Sequence, residues 1–516
     1  MVFLPSVSVK RACVAIILLA ASHSALPQSN LPQLGDGQDL SLTAERKIGQ
    51  RIAREIYRDP DYIDDPLLLE YVQSIWLPLL AAGRARGDIT PELDARFAWQ
   101  VVLARDRTVN AFALPGGYMG VHLGLIGLVA TRDELASVLA HELAHITQRH
   151  IARLNAKQAA QAPWLLGAIV LGALAASKNP EAANAVIAGG QAVSAQNQLN
   201  FSRDMEREAD RIGFNLLTSA GFAPQGFVAM FDKLQQANRI NDNGSFPYLR
   251  SHPLTSERMG DMQARLQLSP GAALPANAPA PNPLEHALMA TRARILADTG
   301  VDTLRAALQE ALAMPEGATL SAKSLAAVYG GALAAMKLRE LATASQLMAK
   351  MQAAFIPEPL AKRAVQLLGF EISLAAPADA DNAVAAQNRA RTAIAIGGNP
   401  ARRPELLLSS AAHRASGQPR AVLDALQTWV SQYPSDAPAW DRLAEIYQAL
   451  GQPLRAITAQ AQASLAREDL SGALDRLKAG QALVKSGAAV DHIEASIIDT
   501  RVRAVESALR EQALER

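Results

Sequence analysis

Two histidines flanking a glutamate carry the first chemistry in this chain: His141-Glu142-Leu143-Ala144-His145, within the segment TRDELASVLAHELAHITQRH. With 9 histidines and 49 acidic residues among 516, chance would produce roughly 0.015 copies of H-E-x-x-H. Composition does not account for the motif. Helical residues four apart project from one face, so the imidazoles of His141 and His145 can meet one cation about 2.0 to 2.1 Å from each nitrogen. Glu142 lies one step round the helix. From there its carboxylate reaches a water at the cation without itself becoming a ligand, which is the placement a general base requires. One zinc ion per chain is the expected cofactor, because two histidines and one carboxylate leave its fourth position for a water whose pKa falls to about 7.

The third ligand must come from elsewhere, and the segment SRDMEREADRIGFNLL offers it. Glu206 and Asp210 stand at i, i+4 and share a helix face. Glu206 is the expected third ligand, with Asp210 as an acceptor that orients a ligand histidine. Glu208 competes for the same role, and spacing alone leaves it open. Without the upstream histidines, the segment would read as an ordinary acidic helix face paired with Arg203, Arg207 and Arg211.

These groups need rigid supports. Thr131 and Glu134 have the spacing of a capping box, and Leu135, Val138, Leu139, Leu143 and Ile146 form the apolar stripe of an amphipathic helix. Upstream, residues 98–104 and 111–114 read as short strands, with Pro115, Gly116 and Gly117 turning the chain before a strand at 118–121. Asn110, Ala111 and Phe112 open an expected edge strand onto which a substrate backbone would be laid, making the substrate a polypeptide. Apolar residues at helical spacing between Leu40 and Leu80, interrupted at Pro60 and Pro66, predict two earlier helices. His122 and His150 read as structural or solvent-facing, the first in a strand-like stretch and the second five residues beyond the ligand pair.

Five prolines between Pro270 and Pro283 mark a boundary. Beyond Leu284 the chain is Ala-, Leu-, Gln- and Arg-rich in helical periods. Trp440, Leu443, Ala444, Tyr447, Gly451, Ala456 and Ala463 sit at the offsets of a tetratricopeptide helix pair, and Ala421 precedes Ala456 by 35 residues. Further pairs are expected at 325–351 and 465–483. Such repeats stack into a concave solenoid suited to peptides or proteins. The expected fold is mainly α: an α+β zincin-like metallopeptidase domain with a small sheet (26–268), a Pro-rich linker (269–283) and an all-α tetratricopeptide solenoid (284–516).

Charge and leader narrow the setting. A net charge of +1 provides no basic field for a nucleic-acid backbone. Lys10 and Arg11 precede an apolar run of about 10 residues and then small residues up to Ala25, the pattern of a cleaved signal peptide (1–25) rather than a membrane span. The single cysteine, Cys13, lies in that run, so the mature chain would hold no thiol, as suits a periplasmic protein. An uncharged run of 13 residues at 164–176 is too short for the roughly 30 Å hydrocarbon layer. It reads either as a buried helix or as an apolar lid or contact surface toward a membrane-embedded partner.

H-E-x-x-H, the later E-x-x-x-D, Asn110-Ala111-Phe112 and the Gly-Gly turn together resemble the HtpX and CAAX-prenyl-protease group of zinc metallopeptidases. The leader, ASVLAHELAHITQRH, EREADRIG, SHPLTSERM and the helical second half resemble its periplasmic members, strongly to about residue 268 and loosely beyond. The resemblance implies His141, His145 and Glu206 as zinc ligands, Glu142 as base and Asp210 as the supporting aspartate, which selects Glu206 over Glu208. His252 and Arg258 match a further His-and-Arg pair of the group, with the histidine over the active site. There it would donate to an oxyanion or occupy the open position of zinc, and Arg258 joins Asn110, Ala111 and Phe112 as a substrate-contacting residue. It further implies an endopeptidase with chaperone activity acting on misassembled outer-membrane β-barrel proteins, with the barrel assembly machinery as partner and peripheral contact with the membrane. The rival expectation is a non-proteolytic tetratricopeptide scaffold with a structural or silenced zinc site.

Overall fold

The structure, a computed structural model, describes residues 40–156, 203–239, 245–268, 282–314, 321–375, 391, 402–487 and 491–514. The expected signal peptide, the apolar run at 164–176 and all but the end of the Pro-rich segment lie outside these residues.

The first half is built on a four-stranded sheet of order β1-β2-β4-β3, comprising β1 (Tyr62–Ile63), β2 (Gln100–Ala104), β3 (Ala111–Leu114) and β4 (Tyr118–His122). β2 runs parallel to β4, whereas β3 returns antiparallel to it, which leaves β3 on the edge. The turn joining them uses Gly116 and Gly117 at φ 73° and 83°, backbone that residues with a Cβ rarely adopt. Side chains alternate across the sheet as pleating requires. Val102, Leu114 and Tyr118 pack on Ile48, Ile52 and Ile56 of α1 (Leu42–Arg58), while Val101, Leu103, Ala113, Met119 and Val121 face the main core.

That core is made by α2 (Pro66–Arg86), α3 (Pro91–Arg96), α4 (Leu123–Leu128) and α5 (Arg132–Thr147) together with later helices. α2 starts where Asp65 accepts from the Leu68 N–H and Pro66 occupies the first helical position, and it stops at left-handed Gly87. α5 carries the histidine motif and is buried nearly all round. Its start differs slightly from a capping box: Thr131 Oγ1 accepts from Glu134 N, but Glu134 reaches the N–H of Ala130 and the Lys233 ammonium. After α6 (His150–Ala156) come α7 (Arg203–Ser219), α8 (Gln225–Arg239), the short α9 (Tyr248–Ser251) and α10 (Ser256–Leu268). α7 lies tightly against α5 because residue 213 is glycine: a Cβ there would stand 3.1 Å from the His141 Cα.

Among the described residues everything beyond 283 is helical: α11 (Pro283–Ala297), α12 (Val301–Leu312), α13 (Ala322–Lys337), α14 (Leu341–Gln352), α15 (Pro359–Ala375), α16 (Arg403–Ala415), α17 (Leu423–Gln432), α18 (Ala437–Ala449), α19 (Pro453–Ala466), α20 (Leu470–Lys485) and α21 (His492–Leu514). The core of the first half continues without a break through α11 to α15. A second cluster holds α16 to α19, and a third holds α19 to α21. The stretch 325–351 is covered by the two helices α13 and α14, and the residues from Trp440 to Ala463 fall on α18, α19 and the turn between them. The pair expected at 465–483 is displaced: α19 runs to Ala466, Glu468 turns the chain at φ 59°, and α20 packs against both α19 and α21. The array returns to the sheet, where Arg58 pairs with Asp469 at 2.8 Å and Arg403 with Asp64 at 2.7 Å. No helix among the described residues is long and apolar enough to cross a membrane.

Candidate metal centre

His141 and His145 leave one face of α5 and point into the space between α5, α7 and the turn after α9. Their Nε2 atoms are 3.0 Å apart. Glu206, in the first turns of α7, completes the group, with Oε2 3.5 Å from His141 Nε2 and Oε1 3.4 Å from His145 Nε2. The fourth member is His252, at the end of α9, whose Nδ1 is 3.4 Å from His141 Nε2 and 3.1 Å from Glu206 Oε1. All four residues are buried, and their donor atoms lie within 4.8 Å of one another.

These separations test the fit to a cation. Four atoms set tetrahedrally about 2.0 to 2.1 Å from zinc lie roughly 3.3 Å apart, close to the 3.0 to 3.5 Å observed. Four donor atoms gathered at that spacing are what a shared cation satisfies. The Glu142 Oε1 atom is likewise buried with no hydrogen-bond partner, 3.4 Å from His252 Nε2.

Glu142 does not join the donor group. Its Oε2 accepts from the Ala113 N–H at 2.9 Å, which ties the carboxylate to the outer edge of β3. Burial pushes the Glu142 carboxyl above its usual range, against the pull of His252 and His141. Asp210, one turn beyond Glu206, has Oδ1 3.0 Å from His141 Nδ1. Burial works against a charged His141, but the Asp210 and Glu206 carboxylates outweigh it and push the group up to about 9. For His145, burial wins and holds it well below the usual range.

Arg258, expected to contact substrate, does something else. Its guanidinium is 4% exposed, donates to both Asp210 oxygens at 2.6 and 2.7 Å, and reaches Glu206 at 2.9 Å and the Pro253 carbonyl. Fully engaged and buried, it has nothing to offer a substrate and instead ties the His252 turn to α7. Asn110, Ala111 and Phe112 open the edge strand, with the Phe112 ring lying over Gly120, where a Cβ would collide with it. His122 is held by Thr108 and Asp106 away from the centre.

His150 was missed. It is buried, and its Nδ1 lies 2.8 Å from His145 Nδ1. An offset of five on a continuous helix would point it elsewhere, but α5 ends at Thr147 and Arg149 adopts φ 52°, which folds the next helix back beneath His145. Glu208, the rival third ligand, is occupied there, with Oε2 3.2 Å from His150 Nε2 and 2.8 Å from Arg153. No sequence signal short of that left-handed break would have revealed the contact.

A buried His-His-Glu group served by a separate glutamate on a sheet-edged helix defines a metallopeptidase centre. Residues 85–266 match Peptidase family M48, a family of zinc metallopeptidases, and the four buried donors that could hold the ion fall within that match. It is 29% identical over 498 residues to the beta-barrel assembly-enhancing protease of Yersinia pestis, spanning 94% of this chain and 93% of that protein. A Vibrio cholerae relative of that protein is 35% identical over 309 residues, 58% of this chain and 59% of its own length. The mitochondrial metalloendopeptidase OMA1 of Saccharomyces cerevisiae is 27% identical over 234 residues, 43% of this chain and 64% of that one.

Proposed function

We propose that this chain is an exported zinc endopeptidase that acts in outer-membrane β-barrel assembly, cutting misassembled clients in the periplasm. The helices after 283 form a tetratricopeptide array that recruits those clients or the assembly machinery. The likeness to beta-barrel assembly-enhancing proteases over nearly the whole chain supports the setting. The observation that carries the chemistry is the convergence of His141, His145 and Glu206 beside an unpartnered Glu142 oxygen.

His141, His145 and Glu206 would hold the ion. When bound, zinc polarises a peptide carbonyl and acidifies water. Glu142 takes the proton of the attacking water at Oε1 and passes it to the departing amine. The Ala113 hydrogen bond holds this carboxylate in place, and burial raises its proton affinity toward what a two-way carrier needs. A substrate strand lies along the outer edge of β3, where the Ala111 N–H turns outward and the Ala113 N–H is held by Glu142. His252 Nδ1 stands where a fourth ligand would, which favours a resting role in the open position over oxyanion donation. Asp210 orients His141, and Arg258 anchors Asp210.

The test is the Glu142→Gln variant, assayed on an unfolded β-barrel protein with zinc content measured alongside. Cleavage should fall by about 10²- to 10⁴-fold or more, with one zinc retained per chain. Wild-type cleavage by the variant would overturn the assignment.

A further inference from the structure

The two motif histidines are backed differently. Behind His141 stands a carboxylate, that of Asp210, at 3.0 Å. Behind His145 stands a second imidazole, and only then a carboxylate: His150 Nδ1 at 2.8 Å from His145 Nδ1, then Glu208 Oε2 at 3.2 Å from His150 Nε2, then Arg153 at 2.8 Å from the same oxygen. Two ring nitrogens 2.8 Å apart need one proton between them, so one donates and the other accepts.

The direction follows from the centre. His145 turns Nε2 toward His141 Nε2 and Glu206, and a neutral imidazole that gives its Nε2 lone pair to a cation carries its proton on Nδ1. That N–H donates to His150 Nδ1. His150 then keeps its own proton on Nε2 and donates it to Glu208. Resting on the zinc-ligand reading of His145, we infer that His150 and Glu208 are positioning residues that lock the tautomer and ring orientation of His145 through a carboxylate–imidazole–imidazole relay. The left-handed turn at Arg149 is the backbone device that builds it, and Glu45, 2.9 Å from Arg149 Nε, holds that turn.

The experiment uses the full-length chain and measures zinc affinity by competition with a chromogenic chelator. His150→Leu removes the acceptor, and apparent affinity should fall about 10- to 100-fold. In His150→Asn the Oδ1 atom replaces Nδ1 as acceptor, and affinity should stay within about threefold of wild type. Equal losses in both variants, or none in His150→Leu, would overturn the relay while a tightly zinc-binding wild type upheld the ligand reading. A wild type that binds no zinc would overturn both. Should His150→Leu fail to fold, the ¹⁵N spectrum of histidine-labelled, zinc-loaded wild type decides: the relay requires a proton on Nε2 of His150, and a proton on its Nδ1 overturns it.

Discussion

Two arginines are buried deep in this molecule among carboxylates, and their surroundings differ in kind. Arg292, on α11, uses every N–H it has: Nε and Nη2 donate to Asp65, Nη1 and Nη2 to Glu371, and Nη1 also to the Tyr329 hydroxyl. Burial alone would push the Asp65 carboxyl up, but the Arg292 charge and hydrogen bonds hold it below its usual range. Arg258 is as buried, yet it meets only the carboxylates of its cluster, Asp210 and Glu206, and leaves three imidazoles crowded on the far side of Glu206 across 3.0 to 3.5 Å. Ring nitrogens and a carboxylate crowded at that spacing, and a buried Glu142 oxygen with no hydrogen bond, are what a folding unit avoids unless something else completes them. A saturated cluster fastens helices together, whereas an unsaturated one waits for a ligand.

The largest effect should come from breaking the saturated cluster. Arg292→Met leaves Asp65 and Glu371 buried together without their cation, a loss of about 3 to 5 kcal/mol. Denaturant unfolding monitored by circular dichroism measures it. Zinc content of the remaining folded protein should stay at the wild-type level. Loss of zinc with little loss of stability would show that the two clusters are not independent.

The unsaturated cluster should respond to its ligand instead. Zinc held at about a hundred times its dissociation constant should stabilise the chain by about 2.7 kcal/mol. A chelator should therefore lower the melting temperature of wild type, and also of Arg292→Met. In Glu206→Gln, whose amide lacks the charge of the third ligand, the chelator-dependent shift should shrink. An unchanged melting temperature in chelator would place the cation elsewhere or nowhere.

The two clusters also differed in how far they could be read from sequence. His141, His145, Glu206 and Asp210 announce themselves because a helix makes i, i+4 spacing into geometry, and Gly213 continues that face where α7 meets α5. Strands β2 to β4 and their Gly-Gly turn were legible for a similar local reason. Arg292, Asp65 and Glu371 were not, since they are scattered over more than 300 residues and each looks like an ordinary surface charge. His150 escaped because one left-handed residue cancelled the helical offset. Arg258 was noticed by resemblance, but its work on Asp210 and Glu206 depends on a fold in which α10 packs behind α7. Local periodicity reveals ligands, whereas long-range packing decides what stands behind them.

The smallest expected effect lies between the two clusters, where α11 docks on α2 and the end of α4. His286 accepts from the Tyr71 hydroxyl at Nδ1, 2.6 Å away, and donates from Nε2 to the Val129 carbonyl at 3.0 Å. Both ring nitrogens are satisfied by the neutral form. Burial lowers its proton affinity despite the Val129 carbonyl, so the folded chain binds less proton than the unfolded one just below the ordinary histidine pKa of about 6.5. Stability contributed here is complete above that value and declines as pH falls toward the lowered folded-state pKa. Comparing unfolding midpoints at pH 7.5 and 5.5, roughly one unit either side of 6.5, should show wild type losing more stability than His286→Gln, whose amide can still donate to Val129. Equal losses would mean that acid loosens the molecule elsewhere, with the imidazoles of the metal centre the next place to look.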